Sequence, residues 1–252
     1  MSRRQAIGFD RPIDLSWLDA VAAKVAEGAS PPEVRKYLYS VLEGAVAGDT
    51  KNSARGKTVT VLSHIWCLVP ETAVALRGRA LKRLVHATAA ERLAIHWAMM
   101  IATYPFFTDL ASALGRLLSL HGSVTLSQLK RRLVETWGER STIARAIPRI
   151  LRSMVQWGVL RNGTEKGLYA VAGPPPAVSD PVAMLLVEAL LLDSGQESME
   201  LDQLLGHPAL FPFQMGIGPQ QLRGAAVLVV HQQGIDQQVV SLSGTRDRDM
   251  AK

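Results

Sequence analysis

The chain has 252 residues, of which 20% are charged and 48% hydrophobic, with a formal net charge of +6 at pH 7. This composition excludes an intrinsically disordered chain and allows one large globular domain or two to three small ones. The longest uncharged run in the first half, residues 93–108, has 16 residues, fewer than the roughly 20 apolar residues of a membrane-spanning helix.

The N-terminal sequence and the cysteine content predict the compartment. The first residues, MSRRQAIGFDRPID, contain no apolar segment typical of a secretory signal. The single cysteine, Cys67, has no disulfide partner in the sequence and lies in the apolar context of a core residue. We therefore expect a cytoplasmic protein that makes no membrane contact.

Residues 1–104 predict a helical N-terminal bundle. Asp14 or Ser16 caps a first helix, and Ser30-Pro31-Pro32-Glu33 begins a second with a serine cap, proline in the first turn and an acid at the positive helix end. Further apolar helices follow, and no strand-like alternation interrupts them.

No catalytic or cofactor motif is found along the chain. Gly56-Lys57-Thr58 has the ending of a phosphate-binding loop, but the motif needs glycine at position 51, which is Lys51. The histidines and the cysteine show no metal-ligand spacing. We therefore predict a protein that is not an enzyme and has no cofactor or metal, and a basic helix start at Lys57 that can touch DNA.

Residues 105–172 predict a helix, a second helix, a third helix and a hairpin. The third helix begins near Ser141 and has an apolar stripe at steps of four, three, four and three, formed by Ile143, Ile147, Ile150, Met154 and Trp157. Two to three residues separate it from the preceding helix, a spacing that suits a helix-turn-helix. The sequence RNGTEKGLYAV then gives a short strand, a basic turn and a return strand. This order is typical of a winged helix.

Basic residues are concentrated in this region. Residues 130–166 contain nine bases and three acids, a net charge of +6, whereas residues 1–129 carry +5 and residues 167–252 carry −5. No acid occurs in residues 140–162. Such a concentration of positive charge is expected of a protein that binds the phosphate backbone of a nucleic acid.

The candidate DNA-binding residues are those of the basic region. In a winged helix the third helix enters the major groove, so Arg145 and Arg149 are the best candidates for bidentate contacts to guanine, with Arg152 at the backbone. The full set is Lys130, Arg131, Arg140, Ser141, Thr142, Arg145, Arg149, Arg152, Arg161 and Lys166. Ser141 and Thr142 are expected near phosphate, and Arg161 and Lys166 form a basic wing.

Pro148 leaves two alternatives for the third helix. Proline removes a backbone donor and clashes with the carbonyl of Ala144. Either the helix is kinked at Pro148, or it begins near Ile147 and residues 141–146 form a separate turn. Both alternatives make phosphate binding a firmer prediction than the reading of bases.

Residues 177–243 predict a small C-terminal domain after the stiff break Gly173-Pro174-Pro175-Pro176. The predicted elements are a helix beginning at Asp180, a short second helix, a third helix over residues 219–233 and a strand. This order is compatible with a second, degenerate winged helix. Because this domain is acidic, we expect it to bind a protein partner instead of DNA. Residues 244–252 predict a disordered tail.

Four segments in chain order carry a resemblance to a known family: residues 32–38 (PEVRKYL), 53–55 (SAR), 93–95 (LAI) and 107–110 (FTDL). In this layout the chain resembles, over residues 14–160, the small A subunit of BREX phage-resistance systems. The resemblance implies a non-enzymatic DNA-binding component of a bacterial anti-phage complex that works beside a methyltransferase and an ATPase.

The predicted architecture is therefore mainly α, with a helical N-terminal bundle, a central winged helix-turn-helix and a small C-terminal helical domain. The predicted function is non-catalytic binding of double-stranded DNA, as an accessory subunit in phage defence or another DNA transaction. Two alternatives stay open. One is a winged-helix transcriptional regulator, which would need a homodimer and a palindromic site. The other is a protein–protein adaptor with no nucleic-acid role.

Overall fold

The computed structural model describes residues 7–233 and 237–243. Helices account for 59% and strands for 12% of the described residues, which confirms a mainly α fold. Within these residues no single helix has the length and apolar composition to cross a bilayer. One pair, Ala54–Trp66 with Glu71–Leu84, meets that test only jointly and is bent by 61° at its break. The tail predicted over residues 244–252 lies outside the described residues.

Residues 7–104 are helical wherever they form regular structure, as the sequence predicts. The elements are α1 (Leu15–Ala26), α2 (Pro31–Val41), α3 (Ala54–Trp66), a 3₁₀ turn (Glu71–Ala73), α4 (Val74–Leu84) and α5 (Ala89–Thr103). Asp14 caps α1 by accepting a 2.9 Å hydrogen bond from the Ser16 amide. Ser30 and Glu33 form a capping box at the start of α2. Both predicted helix starts are therefore confirmed.

The central region contains three helices and a small antiparallel sheet. Its elements are α6 (Pro105–His121), β1 (Ser123–Thr125), α7 (Leu126–Trp137), α8 (Ser141–Gln156), β2 (Leu160–Asn162) and β3 (Leu168–Val171). The strand order is β1-β3-β2, with Val124 opposite Tyr169 and Arg161 opposite Ala170. Thr125 and Gln128 form a capping box, so α7 begins directly after β1.

Helix α8 runs without interruption through Pro148. The alternative in which residues 141–146 form a separate turn is therefore wrong. Ile143 and Ile147, which flank the lost Ala144 interaction, are fully buried. Burial of each side chain contributes about 1.5–3 kcal/mol. The two isoleucines together therefore offset the cost of about 3 kcal/mol for an internal proline.

The C-terminal region has the same order of helices and strands as the central region, with one additional helical turn. Its elements are α9 (Asp180–Ser194), β4 (Ser198–Glu200), α10 (Leu201–Leu205), a 3₁₀ turn (Pro208–Leu210), α11 (Pro219–Arg223), β5 (Leu228–Gln233) and β6 (Gln237–Leu242). The strand order is β4-β6-β5. In each sheet the strand that comes last in the sequence therefore lies in the middle, between the other two.

The helix predicted over residues 219–233 is wrong in its second half. Helix α11 ends at Arg223 before Gly224, residues 224–227 form turns and irregular backbone, and β5 occupies residues 228–233. Val229 and Val230 are β-branched and lose side-chain freedom in a helix. Val230 instead pairs with the fully buried Val240 of β6, a partner about ten residues away that local periodicity does not reveal.

One hydrophobic core runs through all three regions. Helix α5 packs against α9, and α6 packs against the 3₁₀ turn Pro208–Leu210. Gly115 of α6 permits the second contact, because a Cβ there would lie 2.3 Å from the Pro208 carbonyl oxygen. The boundaries at residues 104, 172 and 177 stay predictions, since the regions that they separate share this core.

A buried polar network joins α1, α3 and α5. The Trp66 indole donates to His96 Nδ1 at 3.1 Å, so the His96 proton lies on Nε2, which is 3.1 Å from Asp19 Oδ1. Arg92 also donates to Asp19, at 2.9 Å. Burial lowers the pKa of His96. Partial burial of Asp19 opposes its ionisation, but its bonds to His96 and Arg92 outweigh this and lower the pKa of its carboxyl.

This network predicts that acid destabilises the fold. In the folded state His96 binds a proton less readily than in the unfolded chain, so the free energy of unfolding falls as the pH drops below the ordinary histidine value of 6.5. Asp19 adds a second fall below its ordinary value of 3.8. Urea denaturation at pH 7.5, 5.5 and 3.5 measures both.

His96→Gln should reduce the first fall, leaving the part due to His207, whose pKa is also lowered by burial. Glu188 acts in the opposite direction, because burial raises the pKa of its carboxyl. A change in stability between pH 7.5 and 5.5 that is identical in the native protein and in His96→Gln would show that His96 is not held neutral.

Candidate nucleic-acid interface

Helix α8 is divided into a buried face and a basic exposed face. Ile143, Ile147, Ile150 and Met154 are fully buried. On the opposite side Arg145, Arg149 and Arg152 fall within an arc of about 60°, since each residue of an α-helix advances by about 100°. The sequence therefore places three guanidinium groups on the side of α8 that faces away from the core.

The three arginines differ in what they contact. The Nη1 group of Arg149 donates to the Asp10 carbonyl oxygen at 2.8 Å and lies 3.6 Å from the Asp10 carboxylate. Arg145 and Arg152 are exposed, and neither has a hydrogen bond or ion pair within residues 7–233 and 237–243. Arg149 therefore holds the N-terminal segment, whereas Arg145 and Arg152 are available to an external anion.

Residues 7–14 lie along the C-terminal half of α8. The Ile13 amide donates to Ser153 Oγ at 2.7 Å, and the Trp157 indole donates to the Ile13 carbonyl at 3.0 Å. The Gln156 side chain donates to the Asp14 carboxylate. Phe9 and Ile13 are fully buried, so the segment is part of the core. It also places two carboxylates, those of Asp10 and Asp14, beside the end of α8.

Sequence reasoning missed this contact, because it joins residues about 140 positions apart. The available signal is the apolar series Ile7, Phe9 and Ile13 within an otherwise polar N-terminal stretch. It indicates burial but does not identify the surface that is covered.

Helix α7 contributes a second group of bases. Leu129, Leu133 and Trp137 face the core, and Trp137 donates to Asp109 Oδ2 of α6 at 2.9 Å. Lys130, Arg131 and Arg132 are all exposed. Arg132 pairs with Glu135 at 3.4 Å, whereas Lys130 and Arg131 have no ion-pair partner in the part of the chain that the structure describes.

The β2–β3 hairpin and the start of α8 carry the remaining predicted residues. Arg161 is an exposed residue of β2 whose Nε donates to the Val171 carbonyl at 3.2 Å. Lys166 is exposed in the turn between the strands. Arg140 is the N-cap residue of α8, and Ser141 and Thr142 in the first turn are exposed. All ten predicted residues therefore lie in the central region, and Arg149 alone among them is half-buried.

No metal-binding group of three or more His, Cys, Asp or Glu side chains occurs among the described residues. No protein family matches the chain, and neither does a curated protein or a solved structure. The resemblance to the small A subunit of BREX systems stays a prediction that rests on its four sequence segments.

Proposed function

We propose that the protein binds double-stranded DNA through α7, α8 and the β2–β3 hairpin, and catalyses no reaction on it. Three helices followed by a hairpin, with the strand order β1-β3-β2, support the interpretation of the central region as a winged helix. In that arrangement the third helix, here α8, lies in the major groove, and the hairpin lies along the neighbouring backbone.

The observation that carries the proposal is the state of Arg145 and Arg152. Both are exposed on a helix whose opposite face is buried, and no acid occurs in residues 140–162 to neutralise them. An ordinary solvent-facing helix carries charges of both signs at neighbouring positions. The uniformly basic face of α8 instead favours the binding of DNA phosphates, because each phosphate that it neutralises releases condensed counterions.

The contacts divide along α8. Ser141, Thr142 and Arg145 lie in its first half, which enters the groove in a winged helix, and Arg145 is the candidate for a bidentate contact to guanine. Arg152 is suited to a backbone phosphate, together with the wing bases. Arg149, which sequence alone places beside Arg145 as a base-reading residue, is held by Asp10 and serves to position the N-terminal segment.

The C-terminal region supports a second role. Its element order and strand order match those of the central region, so we interpret it as a degenerate winged helix. Residues 177–243 contain one base, Arg223, and seven acids, a charge that repels DNA and suits a protein partner. A DNA-binding half and a protein-binding half together favour an accessory subunit of a DNA-transaction complex. The BREX resemblance makes phage defence the specific candidate.

The dependence of DNA affinity on salt tests the proposal. Six exposed bases, Lys130, Arg131, Arg145, Arg152, Arg161 and Lys166, would give a slope of about −5 for log Kobs against log salt concentration, and a loss of about a thousandfold between roughly 50 and 200 mM salt. Fluorescence anisotropy with a labelled 30-base-pair duplex measures this. A flat profile, or no binding at the lowest salt, would contradict DNA binding and favour the adaptor hypothesis.

A further inference from the structure

A cavity of about 480 Å³ lies between α4, α9 and the segment that precedes β5. This volume falls within the range of about 300–1,000 Å³ that is typical of small-molecule sites. One wall is apolar and comes from the first two turns of α9, with Val182, Met184 and Leu185, and from residues 225–227. None of the residues that line the cavity belongs to the proposed DNA interface.

The acidic groups at this cavity already have partners. Glu188 is almost fully buried and accepts hydrogen bonds from Arg79, one of them from Nε at 3.2 Å. Glu91 accepts hydrogen bonds from the Ser179 hydroxyl and from the Thr88 amide. Both carboxylates are therefore engaged within the protein, and Arg79 is neutralised by Glu188.

The basic groups at the rim are not engaged in this way. Lys82 and Arg83 line the cavity from the last turn of α4, with His86 just beyond it. Lys82 and Arg83 are exposed, and neither has an ion-pair partner among the residues that the structure describes. The lining contains three permanent cations and two carboxylates, so its net charge is positive.

We propose that this cavity binds a small molecule with an apolar body and one anionic head group, a carboxylate or a phosphate monoester. The apolar body packs against α9 and residues 225–227, and the head group lies at the rim beside Lys82 and Arg83. This binding site is independent of the DNA interface and does not rest on it.

Methyl NMR with ¹³C-labelled methionine tests the site in the full chain. Met184 lines the cavity, whereas Met99, Met100 and Met154 are buried elsewhere and serve as internal references. Decanoate and decyl phosphate, added separately, should shift the Met184 methyl resonance saturably, and decanol should bind about tenfold more weakly, because it lacks the charge-assisted contacts. The two acids distinguish a carboxylate from a phosphate ligand.

Two variants separate the head-group contact from the apolar contact. Lys82→Gln with Arg83→Gln should weaken the binding of the preferred acid about tenfold and leave decanol unchanged. The matched control, Lys51→Gln with Lys57→Gln, removes the same charge at two exposed residues that do not line the cavity and should leave both affinities unchanged. Absence of a Met184 shift with both acids, or a preferred acid that binds no more tightly than decanol, would overturn the proposal.

Discussion

Arg145→Glu combined with Arg152→Glu should abolish the retention of a DNA duplex at low salt. The change reverses two exposed charges on the face of α8 that we place against DNA. It removes about two phosphate or base contacts and adds repulsion, so we expect an affinity loss of at least about a hundredfold near 50 mM salt. The salt slope should become shallower by about 2. Fluorescence anisotropy and a gel-shift assay measure both effects.

The matched control for this double variant is Lys36→Glu with Lys82→Glu. Both lysines are exposed, on α2 and α4, so the variant changes the net charge equally on helices outside the proposed interface. Its affinity should fall by only a few fold, through the net charge of the whole molecule. Equal losses in the two double variants would show that binding depends on overall charge and not on α8.

Arg149 is left intact in this experiment for a structural reason. Its guanidinium binds both the carbonyl and the carboxylate of Asp10. Its replacement would release residues 7–14 from α8, and a loss of DNA binding would then have two explanations. Arg145 and Arg152 have no hydrogen bond or ion pair in the described part of the chain, so their replacement should leave the fold unchanged and test the surface alone.

The sequence predicts those parts of this fold that depend on local signals. The capping residues Asp14 and Ser30 mark helix starts that the structure confirms, and the stripe from Ile143 to Met154 is the buried face of α8. Each signal lies within a few residues of the feature that it predicts, because caps and helical periodicity are local properties.

The features that sequence reasoning missed depend on distant partners. Val230 lies in a strand because Val240 pairs with it, and Arg149 is half-buried because Asp10, 139 residues away, binds it. The continuity of α8 through Pro148 also depends on burial of isoleucines against other elements. Local propensity gives the wrong answer at residues 224–233 for the same reason, since tertiary pairing there outweighs helical periodicity.

The uneven charge distribution has a consequence for assembly. The basic residues of α7, α8 and the β2–β3 hairpin all belong to the central region. The acidic C-terminal region, residues 177–243, has Arg223 as its single base. DNA would therefore attract the central region and repel the C-terminal one. Under the proposed function, the C-terminal surface would stay available to a protein partner while DNA is bound.

Trp97→Ala should cause the largest loss of stability of any single substitution considered for this chain. The Trp97 ring is fully buried and packs edge-on against Phe107, Trp157 and Phe213, and its indole donates to the Ala209 carbonyl at 2.9 Å. Its removal leaves a cavity and an unpaired carbonyl, at a cost of about 3–5 kcal/mol. Urea denaturation followed by circular dichroism measures the loss.

The same substitution tests whether the chain unfolds as one unit. Trp97 belongs to α5, whereas its aromatic partners come from the central and C-terminal regions, so its ring joins all three parts of the core. We expect native-state hydrogen exchange to show equal losses of protection in α5, α8 and α9. Trp97→Phe, which keeps a ring but loses the indole donor, should cost about 1–3 kcal/mol less. Loss of protection confined to residues 177–243 would instead show that the C-terminal region unfolds separately. A substitution in a core that all three regions share destabilises all three together.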